Sequence, residues 1–137
     1  MNLNWDNNLA TGIVNIDNQH KELFDRINKL LTAMKEGKGK DEVIGTLNFL
    51  EDYVIKHFTE EEEIQKKNNY PKYSIQHKQH EEFKEELKEL RRTFETTGTS
   101  ALFVIKVQNR MSTWWKNHIR DLDKDLGNFL IENSKQY

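Results

Sequence analysis

Apolar residues recur at intervals of three and four along most of this chain, and short runs of Gly, Asn, Thr and Pro interrupt the rhythm. The first periodic stretch carries Leu23, Phe24, Ile27, Leu30, Leu31 and Met34, which predicts a helix from about Asp17 or Asn18 to Lys35, ended by Gly37 and Gly39. Asp41 is placed to cap a second helix running to about Lys67, with the inner stripe Ile44, Leu47, Leu50, Val54, His57, Glu61 and Ile64. Asn68 and Asn69 suit a turn, and Pro71 suits a first helical position. A third helix follows to about Glu95, with the stripe Tyr73, Gln76, His80, Phe83, Leu87, Leu90 and Phe94. Thr96 to Thr99, with Gly98, forms the next turn, and Ser100 caps a fourth helix carrying Val104, Val107, Met111, Trp114, Trp115 and His118. Residues 1–16 show no such period and read as an extended arm anchored by Trp5, Leu9, Ile13 and Ile16.

Short turns between long amphipathic helices make sequential helices antiparallel, so the expected fold is all-α, an up-down-up-down four-helix bundle over one domain, 1–137. A non-bundle helical arrangement would share this periodicity. Composition agrees with helices: there is one Pro, six Gly, and many Leu, Lys and Glu. A formal net charge of -2 argues against a nucleic-acid partner, which needs a basic face. No apolar run approaches the roughly 20 residues of a membrane span. The first residues form neither a basic region nor an apolar stretch, so the expected location is the cytoplasm.

The chain has no Cys, which excludes disulfides, thiolate metal sites and cysteine nucleophiles. Any metal must be held by His and carboxylates, which suits iron, manganese or zinc. One His on an apolar stripe is ordinarily a hydrogen-bonded core residue, but here the stripes are interrupted together. His20 lies early in the first helix, His57 and Glu61 late in the second, Gln76 and His80 early in the third, and His118 late in the fourth. In an up-down bundle those four regions share one end. Burying so many polar groups without strong partners costs several kcal/mol, and a metal supplies the missing partner. His57 and Glu61 are four apart, as are Gln76 and His80, so each pair shares a helix face. The ferritin-like signature, Glu followed three residues later by His, is absent, so the site is rich in imidazole and poor in carboxylate. Such a donor set should disfavour high oxidation states and favour binding oxygen over splitting it.

These residues form longer motifs. Ile16-Asp17-Asn18-Gln19-His20-Lys21, His57-Phe58 with Glu61-Glu62, Tyr70-Pro71, His80 with Phe83, and Trp114 with His118-Ile119 and Asp123 resemble the bacterial hemerythrins, in order and over nearly the whole chain. The resemblance implies a non-haem pair of iron ions (Fe2+/Fe3+) with a bridging oxo or hydroxo group, and dioxygen as the ligand. Carried over by position, His20 and His57 would hold the iron that takes up oxygen, His80 and His118 the other, and Glu61 and Asp123 would bridge them. One ligand departs from the family: its third His on the second iron falls here on Gln76. The amide oxygen of Gln76 is a weaker ligand than imidazole, and the alternative is an open position. The adjacent His77 lies about 90° from the centre of the stripe and reads as a surface residue unless the helix is locally shifted. Trp115 stands where the family often has Leu near the oxygen pocket, and either narrows that pocket or packs in the core. Asp123 follows His118 by five residues and would point about 140° away on an ideal helix, so the fourth helix must end, bend or bulge there. Asp121 and Asp125 compete with it on geometry, and the family spacing favours Asp123.

Three functions follow. The first is reversible dioxygen binding for storage, delivery or sensing, which needs no catalytic base or nucleophile. The second is an oxidoreductase acting on peroxide, nitric oxide or O2 through chemistry altered at the Gln76 iron. The third is a metal-free helical interaction module whose inward His are merely hydrogen-bonded.

Overall fold

The structure is a computed structural model that describes residues 3–98 and 100–134. Thr99 of the expected turn and the first two residues of the expected arm lie outside the described residues. Four long helices form an up-down-up-down bundle: α1 (Val14–Lys35), α2 (Lys40–Lys67), α3 (Tyr73–Thr97) and α4 (Ala101–His118). A π-helical segment, Ile119–Asp123, then leads into α5 (Lys124–Ser134). No described helix is long and apolar enough to cross a membrane.

Several boundaries differ from the sequence expectation, each for a local reason. α1 begins at Val14, not at Asp17 or Asn18, so the arm is shorter than 1–16. Asp17 is occupied otherwise, because its Oδ1 accepts hydrogen bonds from the amide and the hydroxyl of Thr11, both at 2.8 Å. Gly39, not Asp41, caps α2, and Asp41 and Glu42 lie in its first turn, where negative charge complements the helix dipole. Pro71 precedes α3 instead of starting it. The Tyr73 amide donates to the Tyr70 carbonyl at 3.2 Å, closing a turn in which Pro71 holds the position that Pro favours. α3 runs on to Thr97 and stops at Gly98, whose φ of 71° favours glycine. Ser100 does cap α4, accepting from the Phe103 amide at 3.1 Å.

The buried stripes of α1, α3 and α4 follow the expected spacing. On the 28-residue α2 the stripe slips by one at both ends, where Val43 and Gln65 are buried while Ile44 and Ile64 are half-buried. Leu and Phe side chains from all four helices form the main core. A second, smaller apolar cluster of Ile16, Tyr70 and Leu126 sits one turn before His20 and one turn beyond Asp123, so the polar side chains lie between two dry regions.

The arm folds back along α1. Asn28 binds Leu3 in both directions, accepting from its amide at 2.9 Å and donating to its carbonyl at 2.8 Å. Asp6 caps a 3-10 turn at Asn7–Leu9, and Leu9 is buried. Near its end the arm presses on α5: a Cβ on Gly127 would stand 2.1 Å from the Thr11 carbonyl oxygen. Gly127→Ala should therefore push the arm away and lower stability by about 1–3 kcal/mol, read from chemical denaturation. A change within about 0.5 kcal/mol would show that the contact is not tight in solution.

Candidate metal centre

The interruptions of the four stripes meet at one level of the bundle. His20, His57, Glu61, Gln76, His80, His118 and Asp123 are each no more than 2% exposed. Asp123 reaches this level through the π segment. The Lys124 amide donates to the Ile119 carbonyl, five residues back, and this wider turn returns the chain to the same side after five residues. His118 Nε2 and Asp123 Oδ1 are consequently 3.3 Å apart. Asp121 is exposed and pairs with Arg120, and Asp125 accepts from the Tyr70 hydroxyl at 2.6 Å, so neither joins the group.

Each of the two carboxylates divides its oxygens between two sets of imidazoles. Glu61 Oε2 lies 3.5 Å from His57 Nε2, and its Oε1 lies 3.2 Å from His80 Nε2. Asp123 Oδ2 lies 3.0 Å from His20 Nε2, while its Oδ1 faces His118. Two groups of donor atoms close enough to hold a cation result: His20, His57, Glu61 and Asp123 in one, and Glu61, His80 and His118 in the other. Gln76 joins from the side, its Nε2 donating to Asp123 Oδ1 at 3.0 Å. His77 stays outside, with a side chain 47% exposed and its Nδ1 2.8 Å from Glu62.

Outer hydrogen bonds fix how the imidazoles present themselves. His57 Nδ1 donates to Gln19 Oε1 at 2.6 Å, and Gln19 Nε2 is engaged by Glu60 at 2.7 Å. His80 Nδ1 donates to Glu62 at 2.8 Å, and His118 Nδ1 to Gln79 Oε1 at 2.7 Å. With the protons on Nδ1, the Nε2 lone pairs point inward. His80 Nε2 and His118 Nε2 then face each other at 3.3 Å with no proton between them, an arrangement that calls for a cation. Burial holds His57 well below the usual imidazole range, with His20 adding to the effect. Burial and the neighbouring His118 lower His80 to about 4. Both rings are thus in the neutral form that binds metals. Burial and the charge of Asp123 push Glu61 well above the usual carboxylate range. Burial acts the same way on Asp123, but His118 and His20 outweigh it and hold that group well below. Without a cation, one of the two carboxylates keeps its proton.

The donor set also fits a metal by what it leaves unmade. His20 Nε2, His57 Nε2, both oxygens of Glu61, Gln76 Oε1 and Asp123 Oδ2 are buried without a hydrogen-bond partner, although several lie within 3.5 Å of one another. Unsatisfied buried groups of this kind are rare unless an ion or water completes them. Imidazole and carboxylate donors suit iron, manganese or zinc. The sequence reading missed the outer partners Gln19, Glu62 and Gln79, which sit beside the inner stripe and look like surface residues. It also missed Gln65, buried one turn beyond Glu61 with neither amide atom partnered.

Residues 11–130 match the family described as Hemerythrin HHE cation binding domain. A bacteriohemerythrin of Pseudomonas aeruginosa is 35% identical over 123 residues, covering 87% of this chain and 75% of the relative. A bacteriohemerythrin of Methylococcus capsulatus is 30% identical, covering 86% of this chain and 88% of the relative. Among solved structures, wild-type hemerythrin superposes with a TM-score of 0.80 at 27% identity, over 93% of this chain and 96% of the other. With a bundle of the same shape, a buried cluster of His, Glu and Asp able to hold metal, and matches over most of its length, this chain belongs to the hemerythrin family.

Proposed function

We propose that the chain, as one domain over 1–137, holds two iron ions and binds dioxygen reversibly. The observation that carries this reading is the division of labour of Glu61 and Asp123, each offering one oxygen to one set of imidazoles and one to the other. That is the arrangement two neighbouring cations require. On this reading His20 and His57 would hold one iron and His80 and His118 the second, with Glu61 and Asp123 offering oxygens to both. Gln76 takes the place of the family's third His through its unpartnered Oε1. When bound, the iron pair supplies the reversible electron transfer on which dioxygen uptake depends.

The chain's own residues supply the rest. Four neutral imidazoles and two carboxylates leave net positive charge on the pair, which favours the reduced state over highly oxidised ones. Gln19, Glu62 and Gln79 hold the rings in register. Phe58, Phe83 and Trp115 on one side, and Ile16, Tyr70 and Leu126 on the other, exclude the water that would promote irreversible oxidation. A second reading, an oxidoreductase acting on peroxide, nitric oxide or O2, draws on Gln76, since a weak amide ligand leaves the second iron more open to added ligands.

Anaerobic loading with ferrous iron, then admission of air, should give two irons per chain and a coloured species that disappears when oxygen is removed. Immediate irreversible oxidation would favour the oxidoreductase, and one iron or none would overturn the proposal. Glu61→Ala should lower the iron content to one or none per chain, measured by elemental analysis, because it removes the group shared by both donor sets.

Burial and the charge of Asp123 favour the protonated form of Glu61 in the metal-free protein, and that proton must leave when metal binds. Metal affinity should therefore rise with pH. Proton release on loading, followed with an indicator dye in weak buffer at pH 7, should be smaller by about one proton per chain in Glu61→Gln. Equal release by both proteins would show that Glu61 is already ionised.

Gln76→Ala should weaken one of the two iron sites by about tenfold or more while His77→Ala leaves both unchanged, read from competition with a chelator. Loss of one iron in His77→Ala alone would mean that the start of α3 shifts when metal binds.

A further inference from the structure

Trp115 has one side-chain polar atom that nothing among the described residues satisfies. Its side chain is 0% exposed, and its Nε1 is buried without a hydrogen-bond partner. An indole N–H in that state is left without the hydrogen bond it would make in water, and buried Trp residues usually find an acceptor. The surroundings explain why none is available. The ring stacks on Phe58 at 5.7 Å and meets Phe83 edge-on at 5.3 Å, neither of which offers an acceptor. Trp114 meets it edge-on at 4.9 Å and offers no acceptor either, and its remaining ring neighbours are His20 at 6.0 Å, His57 at 6.1 Å and His118 at 6.1 Å. The inward lone pairs of His57 and His118 face the candidate centre and their other nitrogens are engaged by Gln19 and Gln79, while His20 leaves both nitrogens unpartnered and bonds with neither of them to the indole.

A buried donor with no protein acceptor, beside three imidazoles of the candidate centre, is placed to receive an acceptor that enters from outside. We propose, resting on the dioxygen-binding reading above, that the Trp115 indole N–H donates a hydrogen bond to the small ligand bound beside His20 and His57. The ligand class it selects is a two- or three-atom species carrying negative charge on its outer atom. A hydrogen bond to a charged acceptor is stronger than one to a neutral acceptor, and stronger still in a dry site. Leu, which the family often has at this position, offers no donor. Trp115 is thus a specificity-determining residue: it favours ligands that accumulate outer negative charge over neutral ones such as carbon monoxide.

Azide is a suitable probe, and the iron-loaded, oxidised full chain is the protein to use. Trp115→Phe should bind azide about tenfold or more weakly, read from absorbance titration. If Trp115 merely fills space, the smaller ring leaves more room and azide binds equally or more tightly, which would overturn the proposal. Because Trp115 is a core residue, a measurement on the unaltered protein stands beside the variant. The indole hydrogen-bond band in ultraviolet resonance Raman spectra should shift when azide binds, and should show no such azide-induced shift in Trp115→Phe. Absence of any shift in the unaltered protein overturns the inference. Failure to load iron would overturn both this proposal and the function on which it rests. Normal loading with unchanged azide affinity and spectrum would overturn this one alone.

Discussion

Two carboxylates and four imidazoles share a space from which both water and protein counter-charges are excluded, and most of the architecture answers to that crowding. Glu61 and Asp123 cannot both ionise there unless positive charge is supplied, and the opposite directions in which they are held express this. His57 and His80 cannot supply it as imidazolium, because burial keeps both rings neutral. A hydrophobic bundle end would be easier to build. That this one retains so many polar groups, several without partners, is explained by cations that complete it.

The fold was legible in the sequence because packing and patterning agree. Three- and four-residue spacing of apolar side chains dictates which helix face is buried, and on α1, α3 and α4 it does so at every expected position but Tyr73 and Trp114, which are half-buried. Helix ends were less legible because they depend on distant partners. Asp17 reads as the start of the first helix but lies inside it with its carboxylate taken by Thr11, and Pro71 looks like a helix start but belongs to a turn closed by Tyr70. The inward His, Gln and Glu stood out because they break apolar stripes at a common level. The requirement for a bulge after His118 could be read from the five-residue spacing, but its form, a π turn, could not. Gln65 escaped notice because a 28-residue helix drifts against a fixed pattern, and Gln19 and Gln79 because nothing local separates them from surface glutamines.

The π segment makes the N-terminal arm part of the centre's support. A π turn is rarely the most stable backbone and persists where neighbours hold it. Here α5 is clamped from the arm's side: Gly127 lies against Thr11, and Lys124 donates to the Asn8 carbonyl at 2.9 Å. Thr11 is bound in turn to Asp17, three residues before His20. The arm therefore links the start of α1 to the start of α5, the two places from which His20 and Asp123 approach each other. Residues that read as an extended arm in the sequence thus fix the spacing of a buried pair.

On the proposed reading, Gln76 changes the centre without emptying it. Its amide reaches Asp123 with one end and leaves a buried carbonyl oxygen at the other. An imidazole bound to metal through Nε2 would turn its remaining N–H outward, as His57, His80 and His118 do, and not toward Asp123. The amide does both, but less strongly as a ligand. Its hydrogen bond also draws electron density from Asp123, so on the proposed reading both effects reduce the electron donation reaching the iron beside His80 and His118. An iron that receives less donation is harder to oxidise. The substitution should therefore favour the reduced, ligand-ready state of the pair and weaken its grip on any oxidised one, which is the direction that reversible binding, not turnover, requires.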